Sequence, residues 1–106
     1  PPADSIKSAP PLVPAPDWHR IDIPAGFGDG QNFVSGEPSG TRLRVAYYRR
    51  EADDVLCGKA WFGQAAEGPP GHAHGGSIAA VLDEAMGLAA WISGFPVVTF
   101  SLNVYF

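Results

Sequence analysis

A chain of 106 residues has room for a single small domain. With 45% hydrophobic and 17% charged residues it has the composition of a globular protein, which excludes wholesale disorder. A net charge of −4 with only seven Lys and Arg excludes an electrostatic case for nucleic-acid binding. Arg42, Arg44, Arg49 and Arg50 read as a solvated strand and its turn. The single Cys57 excludes an internal disulfide and a cysteine-only zinc site. Lacking an HxxC or CxxC neighbour, it reads as a small apolar filler that fits a reducing compartment. Residues 1–5 show neither a basic n-region nor an apolar h-region, so no secretory signal is visible. The apolar run 78–92 is shorter than a membrane span and contains Asp83 and Glu84. The expectation is a soluble, cytoplasmic protein that binds neither nucleic acid nor membrane.

Residues 1–17 hold six prolines and read as an extended lead-in. Gly26, Gly28 and Gly30 form a flexible turn around Phe27, because no Lys-Ser/Thr pair follows as a phosphate-binding loop would require. A weak strand is predicted over 31–36, ended by the turn cluster Glu37-Pro38-Ser39-Gly40. A hairpin follows: Leu43, Val45 and Tyr47 alternate along 43–50, the acidic turn 51–54 reverses the chain, and 55–63 returns. After a break rich in Gly and Pro, residues 77–91 turn helical in composition. Ser77 is the expected N-cap, with Gly75 or Gly76 as substitutes, and Ser93-Gly94-Phe95-Pro96 ends the helix. In the last segment, 97–106, Val98, Phe100, Leu102, Val104 and Phe106 alternate with Val97, Thr99, Ser101, Asn103 and Tyr105. That is the period of a strand. The fold class is α+β, an antiparallel sheet covering one central helix.

The helix carries the chemistry. Apart from Asp83 and Glu84 it is apolar or Gly on every side, the pattern of a helix covered on several faces. At 100° per residue, Asp83 lies among the small residues Ala79, Ala80, Gly87 and Ala90, and Glu84 points elsewhere. A carboxylate in such surroundings is expensive to bury unless bonded or functional, and burial raises its pKa toward that of a general base. On these residues alone a catalytic Asp83 and one facing a wet groove or an Arg are equally open. His74-Gly75-Gly76 leads into the helix N-terminus, where unpaired N–H groups and the helix dipole can hold negative charge developing on a carbonyl oxygen.

The run Gly71-His72-Ala73-His74-Gly75-Gly76-Ser77, followed by Leu82-Asp83-Glu84-Ala85-Met86-Gly87, resembles the signature of hotdog-fold acyl-CoA thioesterases. It is similar in particular to the PaaI-like group and its animal relatives among the thioesterase superfamily members. Val98-Thr99-Phe100-Ser101-Leu102-Asn103-Val104-Tyr105 is similar to that family's strand after the central helix. The resemblance spans roughly residues 55–106. It implies an acyl-CoA thioesterase that hydrolyses a thioester to a free acid and coenzyme A without cofactor or metal. Asp83 matches the general base or nucleophile, and Gly75 the glycine whose N–H polarises the carbonyl. His74 matches the histidine that shapes the oxyanion site, and Thr99 a hydroxyl that orients the water or carboxylate from the partner subunit. Gly76, Asn103 and Tyr105 fall at substrate contacts. The resemblance divides the chain into the lead-in 1–17 and a hotdog domain over 18–106.

Gly68 stands where some relatives carry an Asn or Gln, so no amide side chain helps there. Family members continue through further strands, so the resemblance implies a domain that is incomplete at its C-terminal side. It also implies a homodimer or homotetramer with a shared site. Met86, Trp91 and Phe95 are the expected acyl-tunnel side chains. A metal site built from His72, His74 and Asp83 is the weaker enzyme reading, for want of a further His nearby. Ser77 lacks the elbow motif of a nucleophile. A hotdog subunit that binds an acyl-CoA or a protein partner without turnover is the non-enzymatic alternative.

Overall fold

The computed structural model describes residues 11–28 and 32–106. Strands β1 (Trp18–Arg20), β2 (Leu43–Arg50) and β3 (Leu56–Phe62) form an antiparallel sheet in the order β1-β2-β3. A 3₁₀ turn at Gln64–Ala66 leads toward the single long helix, α1 (Gly75–Ile92). The α+β class expected from the sequence is the class observed.

Period-two alternation gives β2 two working faces. Leu43 and Val45 turn toward α1 and join Val34 in a buried core against which Tyr47, Phe62, Ala80 and Val81 pack. Tyr48 points the other way, is only 3% exposed, and packs on Trp18 with ring centroids 6.0 Å apart. Its hydroxyl donates to the Leu12 carbonyl at 3.2 Å, which fastens part of the lead-in to the back of the sheet. The hairpin pairs Leu43 with Phe62 and Tyr48 with Cys57. Its turn is closed by Asp54 in the left-handed region at φ 61, a conformation Asp tolerates, and by two bonds from Arg50 to the Asp53 carboxylate. Arg44 donates to the Gly40 carbonyl and lies over the Trp61 ring, so these arginines are engaged in the hairpin and its flanks.

α1 runs over 18 residues. By length and composition it is long enough to cross a membrane. Its two central carboxylates, however, are bonded to groups of the surrounding fold, and charge at the centre of a span is costly. The helix begins two residues earlier than expected. His74 is the N-cap, and Ser77 sits inside the first turn with its hydroxyl donating to the His74 carbonyl. The helix ends in a Schellman motif: Gly94 at φ +93 lets the Phe95 N–H reach the Ala90 carbonyl and its own N–H reach that of Trp91. Leu88, in the C-terminal half of the helix, is fully buried. Leu88→Ala is expected to lower unfolding stability by about 2–5 kcal/mol, measured by urea titration.

Two predicted strands are not formed. Residues 32–36 make a turn closed by the Gly36 N–H on the Asn32 carbonyl, which tucks Val34 into the core; Gln31 lies outside the described residues. Residues 97–106 join no ladder. A strand requires a neighbour's N–H and C=O groups, and among the described residues none runs beside this segment. It doubles back along α1 instead. The Trp91 indole donates to the Val97 carbonyl, and the Phe106 ring lies against Gly75 at the opposite end of the helix. Val98 and Phe100 turn outward, while Thr99 between them turns to the helix.

Candidate active site

Asp83 is partly buried, and its Oδ1 accepts a hydrogen bond of 2.5 Å from the Thr99 hydroxyl. The hydroxyl has one proton and donates it here, so its lone pairs remain free to accept from a water. Both groups line an open cavity of about 690 Å³. Phe27, Met86 and Trp91 supply its apolar wall, with Phe27 and Trp91 meeting edge to face at 5.7 Å. The small residues around Asp83 are what leave that wall within reach of its carboxylate. Phe95 is not part of this lining.

The helix N-terminus forms a second cluster. The loop before it bonds to itself, with the Gly71 N–H on Glu67 and the His72 N–H on the Pro69 carbonyl. The His74 N–H donates to the Ala66 carbonyl at 2.7 Å, which sets the histidine at the helix entrance. His74 Nδ1 accepts from the Gly76 N–H at 2.8 Å. Acting as acceptor, Nδ1 carries no proton, and the Nε2–H is left as the ring's donor. A side chain at Gly76 would place its Cβ 2.9 Å from that Nδ1, so this capping geometry requires glycine. The Ser77 N–H is taken by the His74 carbonyl. Of the three donors of the first turn, the Gly75 N–H is left without a partner among the described residues.

The expected site residues therefore fall into two groups. Asp83 and Thr99 meet at mid-helix, and His74, Gly75 and Gly76 stand at the helix start. Asp83 stands eight helical steps after Gly75, about 12 Å of axial rise. Thr99 reaches Asp83 of its own chain, whereas the resemblance implies a contact across subunits. Gly76 has its N–H engaged by His74, which gives it a part in the cap. Asn103 and Tyr105 are exposed and do not line the cavity, and Tyr105 is 94% exposed. Among the described residues no three His, Cys, Asp or Glu side chains converge as a metal-binding set.

Sequence reasoning missed the partners of Glu84. Its Oε1 accepts from the Tyr47 hydroxyl at 2.8 Å and its Oε2 from the Ser35 N–H at 3.2 Å. The available signal was Tyr47 itself, which shares the helix-facing side of β2 with Leu43 and Val45.

Residues 70–106 match the family model described as Thioesterase superfamily. The sheet with its single helix is an α+β arrangement consistent with the hotdog fold. Over 40 residues the chain is 52% identical to human acyl-coenzyme A thioesterase THEM5 and 50% identical to the mouse protein of the same name. The match covers 38% of this chain and 16% of each relative, so the chain spans only a small part of their length. No solved structure matches the chain.

Proposed function

We propose that the protein hydrolyses an acyl-coenzyme A thioester to the free acid and coenzyme A. The observation that carries this reading is the Thr99–Asp83 hydrogen bond, set in the wall of an apolar cavity. Asp83 Oδ2 and the Thr99 lone pairs together can hold one water. Asp83 takes a proton from that water as its oxygen attacks the thioester carbonyl carbon. The C–S bond then breaks, and the thiolate leaves and is protonated. Direct attack by Asp83, with a mixed anhydride hydrolysed afterwards, is the other route open to the same carboxylate.

The carbonyl oxygen requires a donor within about 3 Å, and the Gly75 N–H of the same chain is too far away. The complete site therefore pairs Asp83 and Thr99 of one subunit with His74 and Gly75 of a second, in a homodimer or a larger homo-oligomer. The relatives' name and the superfamily match support the thioester as substrate. A cytoplasmic setting suits the single unpaired Cys57. The same separation favours one second reading: a lone subunit binds an acyl-CoA without turning it over.

Thr99 tests the arrangement. Thr99→Ser keeps the hydroxyl and is expected to keep most activity, measured as free-thiol release from an acyl-CoA. Thr99→Val is expected to lose at least about tenfold in kcat at unchanged thermal stability. A fully active Thr99→Val, or an acyl-Thr99 adduct in mass spectrometry, contradicts the role.

A further inference from the structure

Glu84 is next to Asp83 in sequence yet takes no part in the chemistry above. It is one of two ionisable residues in α1, and both of its oxygens are engaged. The Tyr47 hydroxyl joins it to the sheet, and the Ser35 N–H joins it to the turn at 32–36. That turn is short and held internally by Gly36 on Asn32 and by the Asn32 amide on the Ser35 hydroxyl. Of the hydrogen bonds among the described residues, Ser35 to Glu84 is the one that ties the turn to the helix. The turn has a stake in the cavity: Asn32, Phe33 and Val34 all line it, facing Asp83 and Met86. Val34 is buried, whereas Phe33 is 86% exposed, so core packing holds only half of this wall.

From this geometry we propose that Glu84 is a positioning residue, which pins the 32–36 turn to α1 as one wall of the cavity and thereby sets how tightly a long acyl chain is gripped. A carboxylate serves this better than a neutral acceptor, because hydrogen bonds to a charged group are roughly twice as strong. Tyr47 remains a donor throughout the working pH range, since burial, and then its bond to Glu84, push the phenol far above its ordinary value. The acyl chain as ligand rests on the proposed function; the pinning of the turn does not.

Two measurements on the same variants separate these parts. Glu84→Met keeps length and helix propensity but removes both acceptors. Combining it with Tyr47→Phe also removes the hydroxyl that would be left unpaired, so the pair stays informative if the single variant folds poorly. Glu84→Gln retains a carbonyl for Ser35 and an amide able to donate to the Tyr47 oxygen. Hydrogen exchange at the Ser35 amide is expected to speed up about tenfold or more in both acceptor-free variants and by less than about threefold in Glu84→Gln, with Leu88 unchanged. Unchanged Ser35 exchange in the acceptor-free variants, or equal acceleration at Leu88, overturns the pin.

The second measurement is the affinity of non-hydrolysable acyl-coenzyme A thioethers, one acetyl-sized and one long-chain. The acceptor-free variants are expected to weaken the long-chain ligand about tenfold and the short one less than about twofold, and Glu84→Gln to restore binding. Equal weakening of both ligands, or none, overturns the grip. If the unaltered protein binds neither thioether, the proposed function falls and the grip with it, while the exchange result still decides the pin.

Discussion

Replacing Asp83 with Asn or Ala is expected to lower kcat for acyl-coenzyme A hydrolysis by about 10²–10⁴-fold while leaving the fold intact. Asn keeps the shape and can still bond to the Thr99 hydroxyl, but it neither accepts a proton from water nor attacks a carbonyl. Asp83 is partly buried and makes no contact that the sheet depends on, so circular dichroism and thermal midpoint should change little. Glu84→Gln is the control, because its side chain leaves the helix about 100° further round and faces Tyr47 and Ser35. Equal kinetic losses in the Asp83 and Glu84 variants would mean that the wrong carboxylate has been assigned to the chemistry.

The second large effect is a recovery of activity. Subunits carrying Asp83→Ala are expected to be inactive, and so are subunits carrying Gly75→Pro. Proline at the first helical position removes only the unpaired N–H and fits the local backbone. His74, the residue before it, already has the extended conformation a following proline demands, at φ −63 and ψ 133. The Phe106 ring must give slightly, since even a Cβ at Gly75 would approach it to 3.3 Å. In a mixed dimer one of the two sites receives Asp83 from one chain and Gly75 from the other, both intact. Co-refolding equal amounts should therefore restore about a quarter of the wild-type rate. Asp83→Ala mixed with Thr99→Val should recover nothing, because these two residues belong to one chain. The family resemblance, which implies a Thr99 from the partner subunit, gives the opposite expectation for that second mixture.

That contrast marks where sequence reasoning reaches and where it stops. The hairpin was legible because Leu43, Val45 and Tyr47 alternate and an acidic turn follows. The end of α1 was legible because Gly94 is the residue a left-handed cap favours. The start was misread, since Ser77 is by propensity a better cap than His74. What decides it is the preceding loop, which brings the imidazole over the Gly76 N–H. The 97–106 segment has an unambiguous strand period, yet a period specifies faces and not a neighbour to pair with. The Asp83 site was half visible: the eight-residue spacing from Gly75 is plain in the sequence, and helix geometry turns it into a distance. Of the Glu84 contacts, Tyr47 was within reach through its face of β2, but Ser35 was not, because it lies 49 positions away and no local pattern links the two.

The most direct test of the central claim is a time course of free thiol and free acid released from a long-chain acyl-coenzyme A by the unaltered protein. Hydrolysis at the Asp83–Thr99 site requires the two products to appear together, one for one, over many turnovers. Saturable binding of the thioester with no release of either product, under conditions where the assembled oligomer is present, would contradict it.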